Sequence, residues 1–145
     1  MKTTSGYKKV KLIGKGTIQN PGDETRIQNR LYRCSAPHYP KMTGEVYMTG
    51  CHSVLVKQLT EEQRQGTIAQ LGDTYVTDGH YRLMAYLDER AQPWASEGTY
   101  TIWHMALENE DERINDGIYA SGLLVETTSI RFLRDLSNMT LKTSS

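Results

Sequence analysis

The chain has 145 residues, with 17 basic and 17 acidic side chains and no formal net charge at pH 7. That length suffices for one domain with a proper core, and the charge balance offers no basic stripe to release counterions from nucleic acid. No apolar run approaches the roughly 18 residues a membrane-spanning helix needs, no secretory leader is expected at Met1, and Cys34 and Cys51 match neither zinc nor disulfide spacing, so free thiols in a reducing, cytoplasmic compartment are expected.

Nine tyrosines, one phenylalanine and many threonines favour a β-rich, half-polar architecture. Residues 7–14 alternate polar and apolar side chains and predict a strand ending at Gly14, with Gly14-Lys15-Gly16 read as a turn. Asn20-Pro21-Gly22 is a further turn, since the proline fixes φ and the glycine accepts a positive one. A second strand is expected over 29–35 and a stiff loop over Ala36-Pro37-His38-Tyr39-Pro40. Two short runs follow, 45–48 and 53–56, broken by a small polar turn carrying Thr49, Cys51 and His52.

Thr60 and Gln63 form a capping-box pair ahead of a helix whose first turn carries Glu61 and Glu62. Ile68 and Leu71 lie a turn apart in that helix, and Gly72 stops it. Strands are predicted over 73–75 and 80–87 around the hairpin turn Thr77-Asp78-Gly79. Pro93 and Gly98 bracket a loop that ends in a strong strand over 99–107, and the acidic loop 108–116 leads to another over 118–125. Residues 129–136 predict a short amphipathic helix with Ile130, Leu133 and Leu136 on one face, and the tail 140–145 is expected to fray. Residues 1–145 read as one domain, without repeats, low-complexity segments or linkers.

Thr49 and His52 are three residues apart between two strands, so a hydroxyl and an imidazole can both address one backbone amide. Thr49-Gly50-Cys51-His52 resembles block B (Thr-x-x-His) of the Hint domains shared by hedgehog autoprocessing proteins and inteins. Ile102-Trp103-His104-Met105-Ala106-Leu107-Glu108 resembles the block-F strand, with His104 at the position usually held by Asp. Gly117-Ile118-Tyr119-Ala120-Ser121-Gly122-Leu123-Leu124-Val125 resembles the strand that precedes the closing His-Asn. The likeness covers residues 6–128 and is nearest in style to Hint-like proteins of large DNA viruses.

The resemblance implies a mainly β, flattened horseshoe of curved hairpins with one inserted helix and a short C-terminal helix. It also implies a self-processing chemistry. A leading Cys or Ser attacks the preceding carbonyl, a block-B histidine protonates the departing nitrogen, and the block-B threonine hydrogen-bonds the amide or the oxyanion. By this resemblance Thr49 and His52 are the catalytic candidates, with His104 acting on the nucleophile or on a second step. No cofactor or metal is implied. The nucleophile-bearing opening strand is expected to precede Met1, and Glu126 and Thr127 stand where His-Asn would close the domain. Thr127 has no side-chain amide to cyclise, so ordinary splicing is not expected.

Two accounts follow. The chain is a C-terminal piece of a split or truncated autoprocessing protein that takes an N-terminal Hint or intein fragment in trans, through a sheet edge left open. Or it is a catalytically silent, viral-type β-domain for interaction. A hydrolase using Cys51 and His52 ranks behind both, because no orienting carboxylate or oxyanion loop is visible. Thr49 and His52 also fit a plain turn hydroxyl and a hydrogen-bonded histidine, and Trp94 and Trp103 are read as core or loop anchors.

Overall fold

The computed structural model describes residues 1–143, with the side chain of Thr143 left aside. It is mainly β and contains a curled antiparallel sheet resembling half a barrel. In chain order the strands are β1 (Lys2–Thr3), β2 (Gly6–Tyr7), β3 (Val10–Asn20), β4 (Leu31–Cys34), β5 (Val46–Thr49) and β6 (Ser53–Val56). Helix α1 (Glu61–Leu71) follows, then β7 (Val76–Thr77), β8 (His80–Met84), β9 (Gln92–Pro93), β10 (Gly98–Leu107), β11 (Gly117–Ala120), β12 (Leu123–Glu126) and β13 (Thr140–Thr143). Seven strands form one sheet in the order β2-β1-β11-β12-β6-β8-β7, and two three-stranded sheets run β10-β3-β13 and β5-β4-β9.

The long pair β3 and β10 is the frame on which the cleft described below is built. Its register runs from Gly98 opposite Asn20 to Ala106 opposite Leu12, with an irregularity before Leu107. The strand expected to end at Gly14 therefore continues six residues further, and Gly14-Lys15-Gly16 is not a turn. The glycine has a packing reason: a Cβ at Gly14 would lie 2.5 Å from Leu133 Cδ1 and 3.1 Å from Met139 Sδ. Without one, the C-terminal segment lies directly on the strand. The tail expected to fray instead supplies β13, paired with β3 from Thr140 opposite Lys15 to Thr143 opposite Leu12. Ser144 and Ser145 lie outside the described residues.

Positive φ explains one other departure and one agreement. Ser121 at φ 48° and Gly122 at 85° turn the single strand expected over 118–125 into the hairpin β11–β12. Asp78 at φ 51° and Gly79 at 71° make the equivalent turn between β7 and β8, where a turn was expected. The strand expected over 73–75 is irregular, and Val76–Thr77 pairs in its place. The strand expected over 80–87 ends at Met84, and Ala85–Leu87 winds into a 3-10 turn.

Helix α1 starts on the expected capping box, with Gln63 N–H donating to Thr60 Oγ1 at 3.1 Å and Thr60 N–H to Gln63 Oε1 at 3.0 Å. Gly72 ends it at φ 84°. The expected apolar face is not buried, however: Thr67 is the buried helix residue, and Leu71 is exposed. The helix sits on the protein through Gly66, where an added Cβ would come within 3.0 Å of Leu87. The C-terminal helix differs in winding. Residues 132–136 form a π-type turn, with Ser137 N–H donating to Phe132 C=O at 2.8 Å. A five-residue hydrogen-bond spacing no longer stacks positions 133 and 136, so Ile130 and Leu133 are buried while Leu136 is exposed.

The main core lies between the sheets and includes Tyr32, Cys34, Tyr39, Val54, Leu107 and Ile118. Trp103, expected as an anchor in the core or a loop, is 61% exposed. Among the described residues no helix is long and apolar enough to cross a membrane.

Candidate functional site

The two runs expected on either side of the Thr49–His52 turn form strands β5 and β6, which belong to different sheets. The turn Gly50-Cys51-His52 is thus a crossing from one sheet to the other. It is pinned by backbone: Gly50 N–H donates to Arg30 C=O at 2.9 Å, Tyr86 N–H to Gly50 C=O at 3.1 Å, and His52 N–H to Thr49 C=O at 3.1 Å. Gly50 has no room for a side chain, since a Cβ would meet the carbonyl oxygens of Ile27 and Gln28 at 2.6 Å each. The four residues from Thr49 to His52 are thus fixed by main-chain contacts.

Beside this crossing is a cleft of about 620 Å³, within the usual size of ligand-binding clefts. Its walls come from β5, from β10, from the end of β12 and from Trp94. Thr49, His52 and His104 all line it, although His104 is 52 residues further along the chain than His52. The two imidazole rings lie 5.4 Å apart, centroid to centroid, tilted by 52°. Along β10 exposure alternates, so Tyr100, Ile102 and His104 share the half-buried face while Thr101 and Trp103 point outward.

Both histidines are neutral at pH 7. Burial, reinforced by the neighbouring His104 ring, pushes His52 down to about 4 against a partly offsetting backbone contact from Glu126. Burial also lowers His104. His104 Nδ1 is buried and has no hydrogen-bond partner. Thr49 Oγ1 has a weak contact of 3.6 Å to Cys51 Sγ and is otherwise free for a ligand. The site can therefore offer one hydroxyl and two uncharged imidazoles to a polar group arriving in a mostly apolar cleft.

The residues at the closing positions serve the fold. Glu126 lines the cleft but its carboxylate is ion-paired with Arg82 and accepts from Thr77 Oγ1 at 2.9 Å. Burial raises its pKa, and the Arg82 charge pulls it part of the way back. Thr127 Oγ1 accepts from Asp116 N–H at 3.0 Å and donates to Thr128 C=O at 3.2 Å. Cys51 is exposed and stands outside the cleft walls, which removes the support for a Cys51–His52 hydrolase. His38 is exposed and His80 Nδ1 contacts Asp78 C=O at 2.8 Å, both away from the cleft. Among the described residues no group of three or more His, Cys, Asp or Glu is arranged to hold a metal ion.

Several site residues escaped the sequence reading. Gly50 positions the turn, and Tyr47, Trp94 and Tyr100 line the cleft with aromatic rings. Tyr47 and Trp94 meet edge to face at 5.2 Å. The signal available for Tyr47 and Tyr100 was parity: each lies an even number of residues from its catalytic candidate, Thr49 or His104, on the same strand. No family model, curated protein or solved structure matches this chain.

Proposed function

We propose that the protein is a Hint-type autoprocessing element that works on a Cys- or Ser-led N-terminal segment supplied by another chain or a longer precursor. The observation that carries this is the convergence of Thr49, His52 and His104 on one cleft, with the two imidazoles 5.4 Å apart and neutral. The cleft walls hold no Cys or Ser of their own, so the nucleophile would come with the segment.

In this reading the segment's thiol or hydroxyl attacks the carbonyl that precedes it. Its proton passes to His52, which is an acceptor at neutral pH. The tetrahedral intermediate collapses by breaking the C–N bond, and the His52 imidazolium returns that proton to the nitrogen. A sulfur– or oxygen–acyl bond forms and one amide bond breaks, so the step is an N-to-S or N-to-O acyl shift with no outside reagent. A depressed pKa makes the imidazolium a strong acid, as protonating an amide nitrogen requires. Thr49 Oγ1 is the donor for the carbonyl oxygen as charge develops there. His104 orients or relays the proton through its unpartnered Nδ1.

The test is coexpression of this chain with a reporter fused to a Cys-led Hint opening segment, followed by mass spectrometry with and without added thiol. Thiol-dependent release that is lost in His52→Ala and reduced roughly tenfold or more in Thr49→Val supports the reading. A stable complex without release leaves the alternative, a silent binding domain. That alternative is favoured by one feature: neither imidazole has a carboxylate partner, because Glu126 is committed to Arg82.

A further inference from the structure

The cleft is lined by residues 46–49 of β5 and by residues 100–105 of β10, in each case without a gap. Neighbouring residues in a strand point to opposite faces. A cleft that touches consecutive residues therefore runs along a strand's edge as well as over one face. Among the described residues both are edge strands: β10 pairs with β3 alone and β5 with β4 alone. Each thus carries main-chain N–H and C=O groups on one side that no described strand satisfies, except that Met105 C=O of β10 accepts from Thr128 N–H and Thr128 Oγ1, both at 3.2 Å; the remaining groups are satisfied best by another extended backbone. Of the lining side chains only Glu126 carries a charge at neutral pH, and Arg82 neutralises it, so the walls favour a neutral segment.

The two ends of this cleft differ in chemistry. At one end are His104, His52 and Thr49. At the other are Tyr47 and Trp94, in edge-to-face contact, and Tyr100, whose Oη donates at 2.8 Å to Ser96 Oγ in the loop that follows Trp94. Asn20 Nδ2 fixes that loop by donating to Trp94 C=O at 2.6 Å and Ser96 C=O at 2.9 Å. Tyr100 and His104 share a face of β10 and are four residues apart, about 13 Å at strand rise. In an extended ligand, residues four apart likewise face the same side.

Resting on the reading of the cleft as a peptide-processing site, we infer that its substrate docks as a neutral extended strand along β10. The aromatic group Tyr47, Trp94 and Tyr100 takes one large apolar side chain of that strand, four residues from the residue at the histidines. These three rings are specificity residues, and they touch the ligand at a distance from the reacting bond.

The test uses fluorescein-labelled ten-residue peptides of alternating threonine and valine, with serine fixed at position 5 and a single tryptophan placed at each other position in turn. Anisotropy is read with the full chain. The expected result is tightest binding for tryptophan at position 1 or position 9, by at least fivefold over the mean of the set. Tyr47→Thr, at an exposed position that accepts a β-branched residue, and Tyr100→Thr are expected to erase that preference, while Tyr7→Thr, at an exposed position outside the cleft walls, preserves it. Binding indifferent to tryptophan position, a preference that survives both Tyr47→Thr and Tyr100→Thr, no binding at all, or a dimer of this chain occupying the cleft would each overturn the inference. Position-dependent binding without any His52-dependent reporter release keeps this inference and removes autoprocessing. His52-dependent release with no positional preference does the opposite.

Discussion

Two polar regions of this molecule are built on opposite terms. Around Asp88 every strong polar group is engaged. Arg26 donates to the carbonyls of Ala85, Tyr86, Asp88 and Ala91, Arg90 takes Asp88 through both carboxylate oxygens, and Tyr39 Oη donates to Asp88 Oδ2 at 2.8 Å. Arg90 also stacks over the Tyr39 ring at 4.5 Å. Around His104 and Thr49 the polar groups are left over: one buried ring nitrogen without a partner and one threonine hydroxyl with a weak sulfur contact. A satisfied network is rigid and specifies one arrangement. An unsatisfied group in a cleft is a standing cost that a ligand can relieve. The contrast separates the part of the molecule that holds loops in place from the part whose polar groups are left open to a ligand.

The largest way to break the contrast is to remove the centre of the satisfied region. Asp88→Ala strands the buried Tyr39 hydroxyl and deprives Arg90 of its partner, while the Arg90 head retains access to water. A loss of about 3 kcal/mol is expected, read as a lower urea midpoint with an unchanged slope. A change under about 0.5 kcal/mol would mean the network is decoration. Next in size is Gly50→Ala. The added methyl meets two backbone oxygens at 2.6 Å, which cannot step aside as a side chain would. A cost of about 2 kcal/mol is expected, and the turn carrying Thr49 and His52 must shift. Reporter release in trans should then fall more steeply than the stability loss explains. Equal falls would make Gly50 a packing residue alone.

The same contrast explains what could be read in the sequence. The capping box at Thr60, the turn Asp78-Gly79 and the long strand over 99–107 rest on local chemistry, and the structure has all three. So do the half-buried alternation of β10 and the burial of Ile130 and Leu133. Gly14 and Gly16 were misread because glycine marks turns and close approaches alike, and only the position of Leu133 and Met139 decides between them. Strand β13 was missed because a polar tail pairs there through its backbone, which leaves no apolar pattern. At the site, Thr49 and His52 were named through the Hint resemblance that their spacing carries. The meeting of His52 with His104 depends on two sheets facing each other, and the aromatic end of the cleft depends on the loop that Asn20 ties down. Neither leaves a local signature. The Hint reading adds an order of segments to this, and its chemistry stands or falls with the reporter experiment.

The smallest effect sharpens the comparison from the side of the cleft. His52 titrates near 4 when folded and near 6.5 when unfolded. Between those values the unfolded chain binds the extra proton, so stability rises with pH across that window. The contribution is fully present above about pH 6.5 and is lost as the pH falls toward 4, by an amount on the order of 1–2 kcal/mol. His52→Gln has no such group and should unfold with a flatter dependence between pH 7 and pH 4.5, measured by thermal melts in one buffer series. His104 is also lowered by burial, so the double variant with His104→Gln should flatten the curve further. If the slopes of the wild type and His52→Gln coincide, the imidazole meets water in solution and is charged at low cost. The cleft would then be wet at the histidines, and the proton transfer proposed for His52 would lose the desolvation that makes it a strong acid.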